Sequence, residues 1–349
     1  KDGPEAGLYR DLGWAYRQSG CWSGALGSWC RSLRLDWDND LAREIDTLRY
    51  ELGPHSKTWA RRSFAGDDER TRIGGELRVP LQDERWSLGL SLEWARFEGP
   101  AAAAGGSVSD SIGIVAVSAR RRFGRRHYAE AGTQLYVDRE AGRSVAPWVA
   151  VRFESTEPYA YLTVQAYANR LLEDPAAAVA LGGRRTGVQV EGWRDLGPCY
   201  WVSGSLAYED LTLELPGSEP SDGFVSWRAS VGRRIWKAPC SLSARLDYTG
   251  SRLLDDRALT GSVPLGERFD FVTGALVLER QIGTRWDAQI EAYAGADLNG
   301  PDLLGGIEAS LRLRLLRGVR LRFIGGYGSQ ARYQDGDSGH LDVELELFR

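Results

Sequence analysis

Trp86-Ser-Leu-Gly-Leu-Ser-Leu-Glu-Trp94 alternates without a break, with Trp86, Leu88, Leu90, Leu92 and Trp94 on one side of an extended chain and Ser87, Gly89, Ser91 and Glu93 on the other. Successive side chains of a strand point to opposite faces, so the segment predicts a strand with one wholly apolar face and one small or polar face. The pattern returns at Trp286–Ala292, Ile307–Leu315 and Leu341–Leu347. From Lys57 onward this period-two alternation replaces any helical periodicity.

Working outward, tight turns are predicted near Gln82-Asp83, Phe123-Gly124, Ser155-Thr156, Leu196-Gly197, Lys237-Ala238, Ile282-Gly283 and Leu316-Arg317. Each interval between them holds two strands of about eleven residues and one longer connection. Those longer connections are residues 99–110, 171–183, 211–222 and 251–266. With a first hairpin at 57–80 and a last strand at 339–348, the expected total is about sixteen strands, an even count with both ends on the tight-turn side. This predicts a mostly β chain: an antiparallel transmembrane β-barrel of about sixteen strands. A soluble sandwich rarely sustains so many long strands and leaves its edges open.

Composition fits. The 349 residues include 42 Gly, 13 Trp and 14 Tyr, with 42% hydrophobic and 26% charged residues and a net charge of −4. No window approaches the ~18 apolar residues of a membrane-spanning helix, whereas barrel strands average to an unremarkable hydropathy because half of each faces water. The near-balanced charge indicates no nucleic-acid footprint. Aromatic residues at strand ends (Trp86, Trp94, Tyr128, Tyr200, Tyr208 and Trp286) are expected to form interfacial girdles. The absence of Met leads us to expect a fragment or a processed chain.

Residues 5–52 differ in kind. Tyr9, Leu12, Gly13 and Tyr16, a turn at Gly20, then Ala25, Trp29 and Ser32 follow helix–turn–helix spacing, with small residues where two helices approach and large ones filling the groove. This resembles one tetratricopeptide repeat, although Trp37 stands where that family usually has a helix-ending Pro; an ordinary helical hairpin is the alternative. Leu41, Ile45, Leu48 and Leu52 then share one face of a capping helix that Gly53-Pro54 ends. We therefore expect residues 1–54 to be the end of a periplasmic repeat solenoid, one repeat plus cap, and residues 55–349 to be the barrel.

If the apolar parity faces lipid, the opposite parity faces the lumen. It includes Arg72, Glu76, Arg78, Glu93, Glu130, Tyr136, Arg152, Tyr161, Tyr167, Arg185, Glu191, Arg228, Arg245, Asp247, Asp287, Glu291, Glu308, Arg312, Arg314, Arg322, Asp342 and Glu344. Their mixed charge suits a hydrated polar passenger; alternatively they are a solvated ladder bracing the wall. Arg gathers on the tight-turn side and acidic residues on the long loops, with Asp255, Asp256, Asp335 and Asp337 forming an expected acidic outer mouth. Such a mouth concentrates cations, though acidic loops are also ordinary surface. The final Leu345-Glu-Leu-Phe348-Arg349 resembles the aromatic-ended last strand of outer-membrane proteins, but Phe348 is out of phase with the apolar face.

Catalytic signals are lacking. The three histidines fall in no metal or triad spacing, no phosphate loop appears, and the spacing of Cys21, Cys30, Cys199 and Cys240 opposes disulfides. No enzyme activity, cofactor or metal is expected.

A tetratricopeptide repeat running into a C-terminal barrel of about sixteen strands resembles the outer-membrane export porins of synthase-dependent exopolysaccharide systems, those for cellulose, poly-N-acetylglucosamine and Pel polymers. Among them it is most similar to the Pel type, whose polymer is cationic. The resemblance implies an outer-membrane conduit with its repeats in the periplasm. The partners it implies are an exopolysaccharide, polymer-modifying periplasmic enzymes held by the repeats, an oligomeric lipoprotein at the periplasmic mouth, and outer-membrane lipid. Two other readings stay open: a barrel that anchors a repeat binding module with its lumen closed by inward-folded loops, and a protein-translocating or surface-display porin.

Overall fold

The computed structural model of the chain describes residues 4–19, 21–36, 38, 41–42, 44–45, 48–49, 53–81, 85–100, 107–123, 127–138, 143–156, 158–173, 176–214, 219–236, 240–254, 268–282, 285–300, 303–316, 318–331 and 334–348. Sixteen antiparallel strands close into one barrel. They are β1 (His55–Ala65), β2 (Asp68–Pro80), β3 (Trp86–Pro100), β4 (Ser107–Phe123), β5 (His127–Asp138), β6 (Arg143–Thr156), β7 (Tyr159–Leu171) and β8 (Arg184–Asp195), followed by β9 (Tyr200–Thr212), β10 (Ser221–Trp236), β11 (Ser241–Leu253), β12 (Arg268–Ile282), β13 (Trp286–Asp297), β14 (Leu303–Leu316), β15 (Val319–Ala331) and β16 (Gln334–Phe348). Every strand pairs with its sequence neighbours, and β1 closes on β16 from His55↔Phe348 to Ala65↔Ser338. Closure removes the two free edges, as a sheet in hydrocarbon requires.

Alternation sets which face each residue takes. Leu88, Leu90, Leu92 and Trp94 are exposed on the outside, Leu92 at 54%, while Ser91 and Glu93 are turned inward and half-buried. Ile73, Leu206, Leu276 and Ile307 continue this exposed apolar band around the wall. A band of that extent belongs against hydrocarbon rather than water. The chain is a membrane β-barrel.

Connections differ from expectation at one end. Where β1 begins and β16 ends they are short throughout, but at the opposite end 66–67, 139–142, 298–302 and 332–333 are also short. The strands there run on to the rim: β16 begins at Gln334, so Asp335 and Asp337 lie in a strand rather than a loop.

Helices α1 (Pro4–Ser19) and α2 (Trp22–Leu35) pack against each other. Trp29 is fully buried, its indole N–H donating to the Arg10 carbonyl at 3.2 Å, and the Ser32 hydroxyl donates to the Ala6 carbonyl at 2.9 Å. A Cβ on Gly13 would enter the Trp29 ring, which is why that position needs glycine. Leu41, Ile45 and Leu48, which are helical, join Ala25, Trp29 and Leu33 in one apolar cluster. Of the repeat signature, Gly13, Ala25, Trp29 and Ser32 are buried, Tyr9 is half-buried, and Leu12 and Tyr16 are exposed. Gly20, Trp37 and Leu52 lie outside the described residues.

Candidate functional site

The inward face of the wall is a ladder of charged side chains, ordered by strand pairing. Arg78 of β2 and Arg120 of β4 meet Glu130 of β5 at 3.1 and 2.6 Å, and Arg78 also reaches Glu76 at 3.4 Å. Across the β1/β16 closure, Lys57 pairs with Glu344 at 2.8 Å and Arg61 with Asp342 at 2.7 Å, while Arg322 reaches Glu344 at 3.7 Å. Arg245 bridges Asp247 and Glu291, each at 2.6 Å, and Arg228 approaches Asp247 at 3.4 Å. Arg185 reaches Glu209 at 3.2 Å, and the Tyr167 hydroxyl donates to the same carboxylate. Asp287 stands opposite Arg312, and Arg314 opposite Arg320. The His340 ring lies 3.6 Å from Glu308.

Glu130, Glu209, Asp247, Asp342 and Glu344 are themselves buried. Buried carboxylates must be paired, and losing one partner strands a charge in a poorly solvated wall. The ladder is therefore stiff as well as polar.

The lumen is not uniform along its axis. Phe97, Ile112, Ile114, Tyr136 and Ala146, on β3 to β6, form an apolar inner surface toward the far end. Against it packs the connection between β7 and β8, which carries the five-residue helix Ala176–Ala180. Leu171 at the end of β7 and Ala176 and Val179 of this segment join that cluster, while Leu172 and Ala178 join a second one with Leu211, Leu213, Phe224 and Leu253 of the β9–β11 side. The connection thus folds into the barrel between two walls. Arg72 holds its Glu173 side chain at 2.8 Å and Arg70 donates to the Glu173 carbonyl at 2.6 Å. The Ala176 N–H donates to Asp68 at 3.3 Å.

Turn spacing alone puts residues 171–183 among the long exterior connections, whereas the structure turns the described part of this stretch inward. The available signal was the uncharged run Ala176-Ala-Ala-Val-Ala-Leu181, too apolar for a solvated loop. Tyr136 was expected along a hydrated passage; it lies buried beneath the inserted segment, its hydroxyl donating to Gln134 at 2.6 Å.

At the rim, Asp255 and Asp256 lie outside the described residues, as does the Asp335 side chain. Asp337 accepts a hydrogen bond from Tyr327, and both share the parity of exposed Leu341 on the outer face. Tyr128 departs from its expected girdle position, since it shares inward parity with Glu130 and lies under Arg120, 4.2 Å from the guanidinium. Phe348 also faces inward, beneath Arg320 at 4.5 Å.

Near the end where β1 begins, Trp193 of β8 and Trp201 of β9 stack with centroids 4.2 Å apart and planes 15° apart. Beside them the Tyr161 hydroxyl donates to Glu191 at 2.7 Å and Arg152 sits 4.0 Å over the Tyr161 ring. Tyr161, Glu191 and Arg152 are legible as lumen residues from parity, whereas a strand-end tryptophan reads as a lipid-side girdle residue until its register is known.

No protein-family model and no curated protein matches the sequence. Among solved structures the chain is similar to a bacterial polysaccharide outer membrane secretin, with a TM-score of 0.68 and 11% identity over 84% of this chain and 98% of that one. It also matches an anion-selective porin from Comamonas acidovorans, with a TM-score of 0.41 and 12% identity over 84% of this chain and 97% of that one. The likeness to the secretin is one of fold, a closed antiparallel β-barrel.

Proposed function

We propose that the chain is an outer-membrane export porin that conducts a secreted exopolysaccharide, cationic and Pel-like, from periplasm to cell surface. In this reading residues 1–54 are the periplasmic end of a tetratricopeptide solenoid that recruits polymer-modifying enzymes, residues 55–349 are the conduit, and an oligomeric lipoprotein sits at the periplasmic mouth. The observation that carries it is a closed sixteen-strand barrel lined by a near-balanced ladder of charged and hydroxyl groups. Such a lining exchanges hydrogen bonds with a hydrated polymer while offering no deep charge well in which it would stall. The similarity in fold to a protein described as a polysaccharide outer membrane secretin supports the same reading.

Removing the chain from a polymer-secreting cell should abolish surface polymer, and restoring it should return the polymer; surface polymer that persists without the chain refutes the proposal. Replacing Asp255 and Asp256 by Arg should reduce export if the passenger is cationic, and unchanged export removes that charge assignment alone.

A second reading, a barrel that only anchors a periplasmic binding module, is favoured by the inserted residues 176–183. Deleting residues 174–181 separates the two: an export conduit gains conductance in planar bilayers, and a closed anchor does not.

A further inference from the structure

The Trp193–Trp201 stack has no part in anchoring the barrel to lipid. Interfacial tryptophans face outward, where an amphipathic ring bridges hydrocarbon and headgroups; these two share inward parity with Gln189, Glu191, Ser203 and Ser205. Their placement is built into the wall. Trp201 stands opposite Gly232 of β10, where any Cβ would enter the indole ring, so the ring lies flat on the sheet. Trp193 covers its other side, leaving Trp201 8% exposed. The Trp193 indole N–H donates to Asp195 at 3.3 Å, and Arg234 holds that carboxylate at 3.1 Å.

A cavity of about 360 Å³ opens beside the stack, bordered by Tyr161, Glu191, Trp193, Ser205 and Arg228. Its size is that of a small-ligand pocket. Its chemistry is a flat aromatic face edged by hydroxyls, a carboxylate and a guanidinium. Glu191 is pre-oriented by the Tyr161 hydroxyl, and the Arg228 side chain, 50% exposed, touches Asp247 at 3.4 Å. Pyranose rings match this set. One face of the ring carries C–H groups that lie against the negative face of an indole, and the ring's edge carries hydroxyls that both donate and accept.

We infer that Trp193, supported on Trp201 and Gly232, is the platform of a carbohydrate-binding subsite in the lumen, holding a short pyranose segment of the polymer between the indole face and Glu191, Ser205 and Arg228. This inference deepens the export reading and rests on it. A weak, repeated hold near one end of the lumen aligns a flexible chain without trapping it.

The test is titration of the full chain in detergent with the β-1,4-linked tetramers of N-acetylglucosamine and of glucosamine, by calorimetry and saturation-transfer NMR. The wild type should bind at least one tetramer with a dissociation constant on the order of 1 mM, about 4 kcal/mol. Trp193→Ala should weaken it at least ~10-fold, Trp193→Tyr should keep most of it, and Trp148→Ala, a tryptophan elsewhere on the inward face, should leave it unchanged. Heat-modifiable gel migration identifies folded variants, and Trp193→Leu, which keeps apolar bulk against Trp201 but has no flat ring and should also weaken binding at least ~10-fold, carries the test if the alanine variant fails to fold. No binding of either tetramer by the wild type, or a Trp193→Ala titration equal to wild type, overturns the subsite. Binding through Trp193 by a chain whose removal leaves surface polymer unchanged keeps the subsite and refutes the export reading. Chain-dependent export with Trp193-independent binding does the reverse.

Discussion

Val179→Asp should expel the inserted segment from the barrel. Val179 is 1% exposed and packs in a cluster with Phe97, Ile112, Ile114 and Leu171. Removing its burial forfeits about 1.5 to 3 kcal/mol, and an unpaired carboxylate in that cluster adds at least ~2 kcal/mol more. The barrel does not share this cost, because each strand keeps its ladder bonds whether or not the segment is seated. At ~1.4 kcal/mol per tenfold, a loss of about 4 kcal/mol shifts the seated-to-released ratio by roughly a thousandfold. The assay is thiol accessibility. Cys21, Cys30, Cys199 and Cys240 are replaced by Ser, Ala177, which is buried, is replaced by Cys, and a membrane-impermeant maleimide is added. The new thiol should react at least ~100-fold faster beside Asp than beside Val, and single-barrel conductance should rise in parallel. A folded Val179→Asp barrel with parental labelling kinetics would refute the claim that apolar packing holds the segment in place.

Three further outcomes follow from the same wall and its helical neighbour. Leu92→Arg puts a charge in the lipid-facing band and should cost about 2 to 4 kcal/mol near the midplane, whereas Ser91→Arg faces the lumen and should assemble normally; the folded fraction in lipid vesicles measures both. Arg78→Leu takes one of two arginines from Glu130 and should cost about 1 to 3 kcal/mol, lowering the temperature of gel-mobility loss, with Glu130→Gln in the same chain recovering part of it. Trp29→Ala should cost the helical segment about 3 to 5 kcal/mol, so its circular-dichroism signal melts earlier while the β signal of the barrel is unmoved.

Much of the wall was legible because period two is a local property. Once Leu88, Leu90 and Leu92 were apolar and Ser87, Gly89 and Ser91 were not, the face of each followed without knowledge of any neighbour. The same parity put Glu76, Arg78 and Glu130 on one side, and the register of β2 to β5, with only Gly89 and Ser118 between them, then brought Arg78 and Glu130 together although they are far apart in the chain. Parity could not tell the girdle from the lumen at a strand end. Tyr128 and Tyr200 each lie at the edge of a tight turn, but a one-residue difference in strand start turns Tyr128 under Arg120 and leaves Tyr200 exposed on the outside.

Alternation, turn spacing and an even strand count were thus enough by themselves to determine a closed antiparallel membrane barrel with a polar interior, because lipid on one side and water on the other act on every strand separately. Tertiary structure alone decided what occupies that interior. The segment around Val179 enters the lumen because apolar residues of β3 to β6 and β9 to β11 converge there, and the Trp193–Trp201 platform exists because Gly232 leaves room on the next strand. Both depend on residues brought together across strands, and such encounters leave no period in the sequence.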